Sequence, residues 1–323
     1  MIIEKDVTLQ TVGEAWTNST GTDNYAWESL CVIGNRVIAG SNGSIWYSDD
    51  NGETWTQVIA TIGSEWYSLC VIGNRVIAGS DSGIWYSDDD GETWTQVIGT
   101  TSSEWLSLCV IGNRVIAGSD SDGIWYSDDD GESWALSDLT GGTWRALCVI
   151  GNRVIAGSDG GIWYSDDDGE TWIQSDITGG TWHALCVIGN RVIAGSDGGG
   201  IWYSDGDGES WIRSDITGGI WGALCVIGNR VIAGNISSTG TGGGIWYSDD
   251  NGETWIQSDI TGDTWYSLCV IGNRVIAGSD GGIWYSETIT QHVIEQTKYL
   301  DQAGADELFT QFMGYVDSLV GGE

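Results

Sequence analysis

Apolar and polar positions along this chain follow one pattern that recurs seven times. Read at residues 144–172, it runs W-R-A-L-C-V-I-G-N-R-V-I-A-G-S-D-G-G-I-W-Y-S-D-D-D-G-E-T-W. The short apolar run Leu147 to Ile150 breaks at Gly151-Asn152 and resumes over Arg153 to Ala156. A glycine-first pair between two such runs is a hairpin signal, which predicts antiparallel strands A and B. After the loop Ser158-Asp159-Gly160-Gly161, Ile162-Trp163-Tyr164 predicts strand C. The turn Ser165 to Glu170 then leads into Thr171-Trp172-Ile173, strand D. A helix would need ten or more residues between glycine-rich breaks, and no repeat offers them.

The cysteines mark the period. Cys31, Cys70, Cys109, Cys148, Cys186, Cys225 and Cys269 stand 39, 39, 39, 38, 39 and 44 residues apart, the length of a four-stranded propeller blade. The predicted fold is all-β, a seven-bladed β-propeller of four-stranded blades over residues 1–286. Strand runs apolar on both sides of the pleat suit blades stacked around an axis. The last repeat stops at Tyr285-Ser286 without its Gly-x-Thr-Trp, and Gly13-Glu14-Ala15-Trp16 at the other end matches the missing piece. Blade seven is therefore expected to be shared between about residues 11–20 and 265–286, with an N-terminal strand closing the ring and leaving no free edge.

At the C–D turn the sequence resembles a known family. Ser48-Asp49-Asp50-Asn51-Gly52-Glu53-Thr54-Trp55 is similar to the S-x-D-x-G-x-T-W Asp-box of the BNR repeat found in sialidase-like propellers. Further copies start at Ser87, Ser127, Ser165, Ser204 and Ser248; Ser133 and Ser210 replace threonine, and Gly206 stands where the box has aspartate. The likeness covers roughly residues 11–286 and implies the fold, not an activity, because Asp-boxes occur in enzymes and non-enzymes alike. The residues themselves suggest a local role: Ser and Asp accept hydrogen bonds from turn amides, glycine takes the positive φ, and tryptophan covers the turn.

Charge narrows the partners. The net charge is −35, and nearly half of the 46 acidic residues lie in the boxes, which predicts an acidic skirt at one end of the barrel. This argues strongly against nucleic acid or an anionic membrane as partner, since phosphate binding needs clustered Lys and Arg. No cofactor is expected; weak Ca²⁺ binding by Asp-Asp-Asp-Gly turns is the one alternative, though no turn has a complete ligand set. Repeated cysteines on neighbouring blades lie about 10 Å apart, too far for disulfides, and read as small buried apolar residues. Met1-Ile2-Ile3-Glu4-Lys5 is too short for a leader and no run is long enough to insert in a membrane, which leaves the compartment open between cytoplasm and secretion after processing.

Function is read from where the repeats differ. Strand A begins Trp-x-(Ser/Ala)-Leu-Cys, and x is Glu28, Tyr67, Leu106, Arg145, His183, Gly222 and Tyr266. The B–C and D–A loops also vary, and strand direction puts all three at one end of the barrel. That end is expected to be a recognition surface for a glycan or protein ligand, with the x residues ringing a funnel. The preceding Trp27, Trp66, Trp105, Trp144, Trp182, Trp221 and Trp265 are either inter-blade core or stacking faces for sugars. Catalysis is not expected. The resemblance implies an arginine triad, a tyrosine nucleophile with a glutamate partner and an Arg-Ile-Pro motif, but the chain has no proline. Seven of its nine arginines are the repeated Arg36, Arg75, Arg114, Arg153, Arg191, Arg230 and Arg274, and only Arg145 and Arg213 are unique. A glycosidase also needs two carboxyls, and Glu28 is the sole acid at x.

Residues 287–323 form a different segment. Ala305 to Val320 reads as an amphipathic helix with Leu308, Phe309, Phe312, Met313, Val316, Leu319 and Val320 on one side, preceded by a second helix or an extended stretch over Ile289 to Leu300. The apolar stripe either covers the ring or docks on a second copy, making the chain a building block of a homomeric assembly. Light scattering on the full chain and on one ending near residue 286 separates these: packing on the ring predicts monomers in both, assembly predicts large particles that shrink on truncation.

Overall fold

The computed structural model describes residues 2–23, 25–100, 103–236, 243–287 and 289–296. Residues 11–287 form one compact unit, a closed ring of seven four-stranded antiparallel sheets. Blade 1 has strands A (Trp27–Ile33), B (Arg36–Ser41), C (Ile45–Ser48) and D (Thr56–Gln57). Blades 2 to 6 repeat it over 66–96, 105–136, 144–178, 182–213 and 221–261. Blade 7 takes A, B and C from residues 265–287 and D from Thr17–Asn18, paired as Thr17 with Tyr285 and Asn18 with Trp284. The sequence-based closure is therefore the observed one.

The seventh turn is assembled from both chain ends. In blade 1 the Gly52 amide donates to Ser48 Oγ at 2.8 Å; in blade 7 the Gly13 amide donates to Ser286 Oγ at 2.7 Å across 273 positions of sequence. Trp16 sits 6.3 Å from Trp265, as Trp55 sits 6.1 Å from Trp27.

The core is divided into seven clusters, one at each interface between blades. The first packs Cys31, Ile38 and Ile45 of blade 1 against Trp66, Val76 and Ala78 of blade 2. Trp27 and its six counterparts are at most 4% exposed, so they are core and present no stacking face; the alternative reading of them as sugar platforms is corrected here. Their depth follows from a glycine in strand B. A Cβ on Gly40 would stand 2.7 Å from the Trp66 carbonyl oxygen and 2.8 Å from Trp66 Cβ, so only glycine lets the next blade approach this closely. All seven cysteines are free thiols, and burial pushes the Cys31 thiol up to about 12, which keeps it protonated.

At the lower end, arginines clasp the blades. Arg36 lies 4.1 Å over the Tyr47 ring, pairs with Asp49 of its own turn at 2.7 Å and reaches Glu92 of the next blade at 3.2 Å. The same contact recurs at every interface and closes through the chain ends, where Arg230 meets Glu14 at 3.4 Å and Arg274 meets Glu53 at 3.1 Å and Glu287 at 2.8 Å. The carboxylates are more than half exposed at most sites, so each pair contributes about 0–1 kcal/mol. Their value is in fixing register between neighbouring blades.

Residues 2–10 and 289–296 form a separate unit, an antiparallel ribbon of Ile2–Gln10 with Ile289–Gln296. This moves residues 2–10 out of the propeller, where the sequence reading placed them, and makes 289–296 extended. A propeller blade needs its own four-strand pattern, which residues 2–10 lack. The tail positions Leu308, Phe309, Phe312, Met313, Val316, Leu319 and Val320 lie outside the described residues.

The turn chemistry yields a stability prediction. Asp129 accepts hydrogen bonds from Ser133 N at 2.8 Å, Ser133 Oγ at 2.5 Å and Ser127 Oγ at 2.8 Å, and the Ser133 hydroxyl is the main reason its carboxyl lies below the usual range. Blade 5 has Gly206 there and lacks these bonds, keeping the Gly208 amide bond to Ser204 Oγ at 3.1 Å and the Trp211 indole bond to the Gly208 carbonyl at 3.0 Å. A Cβ at 206 meets nothing within 4 Å. Gly206→Asp is expected to raise stability by about 1 kcal/mol in urea unfolding with unchanged m. The folded carboxyl being the stronger acid, this gain is present above about pH 4 and disappears as pH falls further.

Candidate functional site

The seven x residues sit at one structural irregularity. In every blade the A–B register slips between the tryptophan and the Ser or Ala two positions on: Trp27 pairs with Ser41 but Ser29 with Gly40, so Glu28 is the extra residue of a β-bulge. The same slip singles out Tyr67, Leu106, Arg145, His183, Gly222 and Tyr266. A bulge bends the strand and re-aims its side chain, here toward the axis. All seven line one cavity of about 340 Å³, joined by Glu104 and Ile236. The structure thus gathers every sequence-predicted x residue and discards the seven tryptophans beside them.

Glu104 and Ile236 were not singled out by sequence reasoning. Both lie in loops whose lengths differ between blades, and variable length was the available signal. Ile236 covers Gly222: a Cβ on Gly222 would collide with Ile236 Cγ2 at 2.6 Å, so the isoleucine fills that sector of the wall. Below the funnel a smaller space of about 180 Å³ has a floor that includes Leu30, Leu69, Leu108, Leu147 and Leu224. The hydroxyls at that level are already engaged; Ser29 Oγ and Ser68 Oγ each donate to the tryptophan carbonyl of the next blade at 3.0 Å.

The wall is electrostatically uneven. Arg145 is bound by Asp159 through Nε at 2.6 Å and a terminal nitrogen at 3.2 Å, so its charge is locally matched. His183 is held below its ordinary value by burial and by Arg145, which leaves it neutral at pH 7. On the opposite arc, Tyr67 donates its hydroxyl to Glu65 at 2.7 Å. Glu28 has no hydrogen-bond or ion-pair partner among the described residues. Burial, with the Glu65 charge adding, pushes its carboxyl up to about 7.

The lower end carries a larger cleft, about 670 Å³, between the hairpins at Asn113 and Asn152. It is lined by Arg114 and Asp128, already paired at 2.6 Å, and by residues that recur in each blade. Variation there is slight: the turn position of Asp168 is Asn51 and Asn251 in two other blades. No group of three or more His, Cys, Asp or Glu among the described residues is arranged to hold a metal. Within the Asp-Asp-Asp-Gly turn of blade 3, Asp128 is engaged by Arg114 and Asp129 by Ser133 and Ser127.

No protein-family model matches this chain, and no curated protein is similar to it. Solved structures share its architecture. YCF48 from Cyanidioschyzon merolae superposes with a TM-score of 0.68 at 16% identity, over 84% of this chain and 98% of that one. A structure of YCF48 bound to D1 peptide gives 0.68 at 18% identity, over 87% and 97%. The GH74 enzyme of Niastella koreensis gives 0.62 at 20% identity, over 83% of this chain and 44% of that one. These likenesses establish the fold. At such identities they extend no further.

Glu28 supplies the test of this electrostatic description. Its folded pKa lies above the unfolded value of about 4.3, so the stability gained from its protonated form is complete below about pH 4 and is lost as pH rises toward 7. In ¹³C-glutamate-labelled protein one carboxyl resonance is expected to titrate near pH 7 and to vanish in Glu28→Gln. That variant is also expected to be the more stable protein above pH 7.

Proposed function

We infer that this propeller is a non-catalytic binding module that takes a protein or peptide ligand in its upper funnel. The observation that carries this is convergence: the seven strand-A positions that vary between repeats all line one cavity, while the equally exposed lower end repeats almost unchanged. The cavity's volume is in the range of ligand sites, and its lining mixes aromatic, aliphatic and charged side chains, as recognition sites do. Burial of the seven strand-A tryptophans removes the sugar-stacking faces that a glycan reading needed, and this favours a polypeptide ligand. A propeller of the same architecture is known with a peptide bound. Membership of the Asp-box family as a non-enzymatic representative fits the six serine-aspartate turns.

Against catalysis stands the placement of charge. The seven repeated arginines are committed to the lower ring and Arg145 to Asp159, so no arginine cluster faces the funnel. Selection of a random peptide library on the immobilised full chain tests the reading. Enriched peptides are expected to lose at least tenfold in affinity for a Tyr67→Ser, Tyr266→Ser double variant of unchanged melting temperature, and fluorogenic glycosides are expected to remain uncleaved. Turnover that depends on either tyrosine would replace binding with glycosidase chemistry.

A further inference from the structure

We propose that the funnel recognises a basic side chain, the ammonium of a lysine or the guanidinium of an arginine, presented by a peptide segment of a protein partner. This rests on the funnel being the binding site and names what it binds. Three consecutive blades around the ring carry Tyr266, Glu28 and Tyr67, so a carboxyl is flanked on both sides by aromatic rings at the same level of the cavity. Aromatic faces and a carboxylate attract the same kind of ligand, a desolvated cation.

The rest of the wall leaves that arc without competition. Glu28 lies three blades from Arg145 in one direction and three from His183 in the other, and neither neutralises it: Arg145 is matched by Asp159, and His183 is uncharged. Leu106, and Ile236 over Gly222, make the intervening sectors apolar. The hydroxyls of Ser29 and Ser68 among the floor leucines are already engaged, so a cation entering from above finds its counter-ion at the level of Glu28. A half-buried carboxyl without a partner is costly to ionise. An incoming cation removes that cost and drives the remaining proton off Glu28. The charge of −35 on the whole chain draws cations inward over a Debye length.

The charged groups around Glu28 are Glu65 from the loop before blade 2, Tyr67 and Tyr266 on the adjacent strands, and Arg145 and His183 across the cavity. Glu104 of the loop before blade 3 also faces the cavity. All but Arg145 are acidic or neutral at pH 7. Binding is therefore expected to strengthen as pH rises from 6 to 8 and to weaken with added salt.

The test uses the full chain, ¹³C-labelled at glutamate, with heptapeptides of Gly and Ser carrying a central Arg, Lys or Gln, and with n-butylammonium and n-butylguanidinium as free cations. The expected result is that Arg and Lys peptides bind at least tenfold more tightly than the Gln peptide, lower the Glu28 pKa on binding and lose that advantage in Glu28→Gln. Equal binding of all three peptides, still weakened by Tyr67→Ser and Tyr266→Ser, would overturn the basic ligand while leaving the funnel as the site. Binding indifferent to both tyrosines would overturn the funnel itself. Butyl cations binding as tightly as the peptides would overturn a protein partner in favour of a free amine.

Discussion

The ring depends on a close approach between strand B of one blade and the start of strand A in the next. Gly40 meets Trp66 there with no room for a Cβ, and six equivalent glycines do the same around the circle. That contact sets the wedge angle between blades, seals the tryptophan in the core and places the bulge one residue later. Since the bulged residue is the one aimed at the axis, the packing that holds the ring together also delivers the funnel's side chains.

Division of labour between the two ends follows. At the lower end each arginine stacks on a tyrosine, pairs with its own turn and reaches the next, so a change in any residue disturbs two blades. At the upper end the bulge residues share no contact that recurs in every blade, and their identity is free to differ. Uniformity below and diversity above are two outcomes of one packing scheme. The split seventh turn belongs to the same scheme: Ser286 and Glu287 from one terminus and Gly13 and Glu14 from the other reproduce the contacts of a continuous turn, so closure adds no new chemistry.

Much of this was legible from residue order. The period, the four strands, the missing turn and its replacement at Gly13-Glu14-Ala15-Trp16 all come from local signals, glycine-first hairpins and serine-aspartate turns, repeated often enough to remove ambiguity. The x positions were found because a repeat makes each copy a control for the others. Trp27 and its counterparts were ambiguous, since a tryptophan at a strand start can be core or platform and only the neighbouring blade decides. Glu104 and Ile236 were missed because loop residues acquire a role only from what lies beside them.

The sequence alone determined the architecture, because its signals act within a few residues and are multiplied seven times. The tertiary structure alone decided electrostatics. Whether Arg145 is a free cation or a matched one depends on Asp159 across a loop, and whether Glu28 is charged depends on how much water the closed ring leaves it. Burial and partnership are properties of the assembled ring, and no single repeat contains them.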